Sequence, residues 1–152
     1  MAKFKFSLQA VEKYREIVLD GKKNEYAIAA TNVSKQEKTI EGIKEEIKEA
    51  ASELKAKNRL GISVLELQSY GNYLKKLSNS LEEEEDRLVG LKKIEEMHRV
   101  EMVMAKTDSM SIEKIKEKRI FEHLKAEQKK EELFIEEFVS NKLSGHRSNS
   151  EL

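Results

Sequence analysis

Tyr26, Ala29, Val33, Gln36, Ile40, Ile43, Ile47, Ala50 and Leu54 follow one another at alternating spacings of three and four residues. That alternation keeps a narrow stripe on one face of an α-helix, the width that packs against a second helix as a coiled-coil seam. The stripe stops at Asn58-Arg59-Leu60-Gly61-Ile62-Ser63. A second heptad pattern follows through Tyr70, Leu74, Leu77, Leu81, Leu88 and Leu91, then Ile94 or His98. It continues more loosely through Ile112, Ile115, Leu124, Phe134 and Phe138. The pattern predicts an all-α fold, a long antiparallel two-helix coiled-coil hairpin whose second helix is the longer.

Local signals set the expected boundaries. Ser7 reads as a first N-cap, with Gln9 and Glu12 in the first turn, so helix one is expected over about 7–59. Gly61 suits the left-handed conformation that closes a helix, and Ser63 with Glu66 forms a capping box for the next. Ile62 and Leu67 hold the positions of a hydrophobic staple. The turn is then 60–63 and helix two about 64–142, so that 1–143 forms a single hairpin and 144–152 a disordered tail.

Three weak points are also expected. The stripe Leu8, Val11, Val18 is out of step with Leu19, Tyr26, Ala29, which calls for a stutter near Gly21. The second seam changes register near Gly90, and Lys106-Thr107-Asp108-Ser109-Met110-Ser111, poor in helix formers, invites a kink or fraying.

Folding the chain back near residue 61 sets Leu54 level with Tyr70, Ile47 with Leu77, Ile43 with Leu81 and Val33 with Leu91. At about 1.5 Å per residue, helix one spans roughly 80 Å and helix two roughly 115 Å. From about Lys116 to Leu143 helix two should therefore lack a partner from helix one. Ile120, Leu124, Phe134 and Phe138 would form an exposed apolar stripe there, the mark of a partner surface or of self-association.

Composition narrows the choice. With 38% charged and 38% hydrophobic residues, 152 residues fit one domain with a seam better than a globule with a wide core, and no proline interrupts the helices. The absence of cysteine excludes disulfides, thiolate ligands and thiol nucleophiles, and fits a reducing compartment. Met1–Ser7 lacks the apolar run of a signal peptide, and no stretch approaches the roughly 20 apolar residues of a membrane span, so a soluble protein without membrane insertion is expected. The 29 basic and 29 acidic residues are interspersed, which leaves no field for a nucleic-acid backbone. The run Glu82-Glu83-Glu84-Glu85-Asp86 offers a docking patch for a basic protein surface, although such a run is more often a solvated helix face.

Candidate chemistry is sparse. The glycines are scattered singly, so there is no phosphate loop, and no serine has a histidine and a carboxylate placed as a triad. Glu95-Glu96-Met97-His98 holds the Glu-x-x-His spacing that puts a carboxylate and an imidazole on one helix face in di-iron bundles. Its second half is missing, because Ile120 stands three residues before His123. No catalytic residue, metal or cofactor is expected. Met97, Met102, Met104 and Met110 read as seam filler, and Tyr70 and Tyr73, three residues apart, cannot both lie deep in one narrow seam. One of them should remain available for contact.

The opening Phe6-Ser7-Leu8-Gln9-Ala10-Val11 with Arg15-Glu16, and the block Gly61-Ile62-Ser63 through Leu67, Tyr70, Tyr73-Leu74, Leu77 and Leu81, resemble the bacterial flagellar export protein family FliJ. Glu12 departs from the leucine common at that place in the family. The resemblance implies a cytoplasmic, non-enzymatic component of the flagellar type III export apparatus, peripheral to the inner membrane at the flagellar base. It implies a central stalk for the hexameric export ATPase, linked to the cytoplasmic domain of the membrane export gate, with a part in handling export chaperones. Carried over by position, the ATPase-facing group is Phe6, Leu8, Val11 and Arg15, joined by Leu124, Phe134 and Phe138 of the overhang. The gate-facing group is Tyr73 and Leu77 with Tyr70. The equivalent stalk of a virulence injectisome, and a generic coiled-coil scaffold, are the alternatives.

Overall fold

The computed structural model describes residues 2–148, with side chains through residue 145. They form two antiparallel α-helices, α1 (Gln9–Leu60) and the longer α2 (Val64–Ser148), with no strand among the described residues. α1 starts later than Ser7 would have set it. The Leu8 carbonyl accepts the first helical N–H, from Glu12 at 2.9 Å, and Gln9 N–H turns back onto the Phe6 carbonyl at 3.2 Å. Leu8 rather than Ser7 thus holds the position just before the helix, and the Ser7 hydroxyl accepts a hydrogen bond from the Arg119 guanidinium.

The turn follows its local chemistry. Gly61 has φ +92°, the one positive value among the described residues, where a side chain would be strained. Ser63 Oγ accepts the Glu66 N–H at 3.2 Å and its carbonyl accepts that of Leu67 at 3.0 Å, so α2 begins with a satisfied first turn. At its far end α2 stays helical to Ser148, and 144–148 are helix where a tail was expected. A single glycine, Gly145, costs a helix only about 1 kcal/mol, and no proline enforces a stop. The expected disorder of 149–152 lies outside the described residues.

The chain packs as two compact units, Met1–Ile17 with Lys106–Leu152, and Val18–Ala105. In the second unit, every residue of the stripe from Tyr26 to Leu54 is buried or half-buried. The seam is shallow: Ala29, Val33, Ile40, Ala50 and Leu77 retain 5–8% exposure. Cross-helix contacts fix the register. Tyr70 donates to Glu53 at 3.3 Å with Lys57 5.1 Å over its ring, Gln36 donates to the Glu84 carbonyl at 3.0 Å and also to its carboxylate, and Lys22 reaches Glu101 at 3.1 Å. This is the alignment obtained by folding the chain at residue 61.

The two expected register changes are absent. On α1 Leu8, Glu12, Arg15, Leu19, Lys22 and Tyr26 are protected at spacings of three and four, with Val18 half-buried beside Leu19, while Val11 and Gly21 face outward. On α2 Leu88, Leu91, Glu95 and His98 pass Gly90 without a shift. Charged residues occupy seam positions, and counting apolar residues alone mistakes them for a change of face. Residues 106–111 are uninterrupted α-helix, with Ser109 buried and Ser111 Oγ donating to the Thr107 carbonyl at 2.9 Å. The Ser111 hydroxyl is satisfied inside the helix, so it does not compete for the backbone.

In the first unit, residues 2–8 lack regular structure and lie against α2. Phe6 is buried at 8% exposure, with Lys116 Nζ 5.7 Å and the Arg119 guanidinium 5.8 Å from its ring centre. Phe4 meets His123 at 5.5 Å between rings, and His123 Nε2 lies 3.2 Å from the Ala2 carbonyl oxygen. Glu12–Lys116 at 3.0 Å and Arg15–Asp108 at 3.2 Å tie α1 to α2. The stretch from Lys116 to Glu127, expected to be bare, thus has cover from the segment ahead of α1. Residues 128–145 are all exposed.

Candidate interaction surfaces

On α2, Leu124 (58%), Phe134 (70%) and Phe138 (59%) are open to solvent. Ile135, Val139 and Leu143 are exposed beside them, widening the overhang into an apolar stripe. Phe138, Val139, Lys142 and Leu143 line one shallow groove, and Glu127, Lys130, Glu131, Phe134 and Ile135 another. Ile135, Val139 and Leu143 escape a seam-based reading, which keeps one residue per turn. The signal was the apolar triplet Leu133-Phe134-Ile135 followed by the doublet Phe138-Val139, which broadens a stripe beyond seam width. Burying such a stripe against a partner is favourable at roughly 25 cal/mol per Å² of apolar surface.

The members of the ATPase-facing group at and before the start of α1 are placed differently. Phe6 is buried, Leu8 is half-buried, and Arg15 is half-buried and paired with Asp108; Val11, at 38% exposure, is the open one. The gate-facing group divides as well. Tyr73 is exposed at 46%, Tyr70 is half-buried in the seam with its hydroxyl on Glu53, and Leu77 is buried at 8%. Tyr73 therefore carries the accessible surface, and Tyr70 and Leu77 hold the helix face that presents it.

The second unit also contains a charged cluster across its seam. Glu25, His98 and Glu101 bring their ligand-type atoms within 4.8 Å of one another. Lys22 Nζ bonds both carboxylates, Glu101 at 3.1 Å and Glu25 at 3.2 Å, and so supplies the positive charge between them. These bonds, that to Glu101 foremost, raise the Lys22 ammonium above its usual range, and the same partner lowers the Glu101 carboxyl below the usual carboxylate range. His98 Nδ1 lies 3.5 Å from both carboxylates without a hydrogen bond. Glu95, the other half of the Glu-x-x-His spacing, is not part of this cluster. The arrangement is an ionic clamp between helices.

The fold is a two-helix hairpin of the coiled-coil class, and α2 carries an exposed apolar stripe over Phe134–Leu143. No helix among the described residues is long and apolar enough to cross a membrane. The chain belongs to the flagellar FliJ protein family, whose model matches residues 4–148. It is accordingly a component of flagellar export. No match was found among curated proteins or among solved structures.

Proposed function

We propose that this chain is the non-enzymatic central stalk of the hexameric flagellar export ATPase, linking it to the cytoplasmic domain of the membrane export gate and taking part in handling export chaperones. It works in the cytoplasm, peripheral to the inner membrane at the flagellar base. The observation that carries this reading is the unpartnered stripe Phe134–Leu143, joined to Leu124, in a chain of this family. A helix with so much apolar surface in water needs a partner. The stripe belongs to the first unit and Tyr73 to the second, so the two surfaces are separately mutable.

The test follows that separation. Truncation before Phe134 is expected to abolish stimulation of the export ATPase while capture by the immobilised gate domain persists. Tyr73→Ala is expected to do the reverse, with circular dichroism confirming equal helicity in both variants. Full stimulation by the truncated chain would overturn the assignment. A concentration-dependent dimer in light scattering, lost on the same truncation and indifferent to the ATPase, would identify a scaffold instead. Stimulation of an injectisome ATPase in preference to the flagellar one would assign the chain to the other export system.

A further inference from the structure

Residues Ala2–Ser7 cover α2 from Lys116 to Glu127 in an unusual way for a coiled coil. They are not helical, and they alternate. Phe4 and Phe6 are protected against α2 while Lys3 and Lys5 are exposed, as expected when an extended segment sends successive side chains to opposite sides. One side chain, Phe6, is buried, and the remaining attachments lie at the surface: Ser7 to Arg119, and His123 to the Ala2 carbonyl. Detachment therefore moves no buried charge into water. The covered face and the bare stripe are successive stretches of one helix in one unit.

We infer that Ala2–Ser7 is a releasable strap, an intramolecular competitor that occupies Lys116–Glu127 in the free protein and yields it to the partner docking on Phe134–Leu143. This rests on the reading of that stripe as the ATPase-facing surface. A partner helix extending along α2 past Glu127 meets Phe4 and then Phe6. What it uncovers is an apolar seat flanked by Lys116 and Arg119, both within 6 Å of the Phe6 ring centre. The replacing segment must bring an aromatic or aliphatic side chain for that seat, with a carboxylate beside it for Arg119, which loses Ser7, while Lys116 keeps its pair with Glu12. The strap lowers apparent affinity by the fraction of time it stays closed. The sign of one substitution then separates the two roles open to Phe6: a contact residue loses affinity when truncated, and a competitor gains it.

The experiment titrates the purified hexameric flagellar export ATPase with the full chain, Phe6→Ala, and a Phe4→Cys/His123→Cys pair. The chain has no cysteine of its own, so no other thiol competes with the new pair, and mass spectrometry confirms its oxidation before titration. Phe6→Ala should tighten binding about threefold, and the oxidised pair should weaken it about tenfold with recovery on reduction. Weaker binding by Phe6→Ala at unchanged helicity, or equal binding by oxidised and reduced pairs, overturns the strap. If the unaltered chain does not bind the ATPase, the functional reading has failed, and relaxation dispersion on the free protein decides the strap alone. Microsecond-to-millisecond exchange at Phe4, Phe6 and His123 supports it, and flat profiles overturn it.

Discussion

Truncating Leu77 to alanine separates packing from presentation. Leu77 keeps 8% of its surface on the α2 face that meets α1, whereas Tyr73, one turn earlier, keeps 46%. Full burial of a leucine side chain is worth about 1.5–3 kcal/mol, and the space left behind adds to the loss. A two-helix seam is open along both edges and closes partly around a missing side chain, so Leu77→Ala should cost about 2–3 kcal/mol, the low part of the range for buried leucines. For a chain of this size that is a fall in melting temperature of about 5–10 °C. Tyr73→Ala, on an exposed face, should stay within about 0.5 kcal/mol. Thermal melts followed by far-ultraviolet circular dichroism measure both. A melt for Leu77→Ala within about 1 °C of the unaltered protein would refute the packed seam at this level. If the fall is found, loss of gate binding by Leu77→Ala is to be compared with Leu77→Met, which keeps the volume and should cost less than about 1.5 kcal/mol.

Gly61→Ala should destabilise by about 1 kcal/mol through its φ of +92°, and Ser63→Ala by a similar amount through the lost acceptor for Glu66 N–H; denaturant midpoints unchanged in both would mean that the turn is not a boundary. Because the folded Glu101 carboxyl is lowered by Lys22, its contribution is present above the ordinary carboxylate value of about 4.3 and is lost as pH falls through the lower folded value. Lys22 is raised, so its contribution is present below about 10.4 and is lost as pH rises through the higher folded value. Glu96 beside Arg99 and Glu127 beside Lys130 add to the acid arm, and Lys22→Met should flatten the alkaline arm in pH-resolved denaturation. Gln36→Leu exchanges its hydrogen bonds to Glu84 for apolar burial, so stability should change by less than about 1 kcal/mol while light scattering detects larger assemblies; a monodisperse monomer would refute a specifying role for Gln36.

The stripe from Tyr26 to Leu54 was legible because nearly all its members are apolar, and the turn because Gly61 and Ser63 act through local backbone chemistry. The seam before Tyr26 was misread where Glu12, Arg15 and Lys22 take inward positions that hydrophobicity does not reveal; their partners Lys116, Asp108 and Glu101 lie far away in sequence. The cover over Lys116–Glu127 was missed for a related reason. Phe4 and Phe6 reach α2 from a segment without helical periodicity, so only the folded chain brings them together. In the overhang, the heptad pattern runs through Phe134 and Phe138, and a single narrow face leaves out Leu133, Ile135 and Val139 beside them.

The charges placed along the seam have a consequence for how the two helices keep their alignment. An apolar heptad seam repeats every seven residues, so one helix can slide past the other by that step with little loss of contact. Here such a slide is marked at the open side of the hairpin. Displaced one way, Arg15 comes level with Lys116 instead of Ser109 and Asp108; displaced the other, Glu12 leaves Lys116 for Ser109, and a serine stands where its cation was. The same keys bind any lineage that changes the length of one helix. A heptad inserted in α1 must be answered by one in α2, or the chain carries a mismatched charge in its own interior.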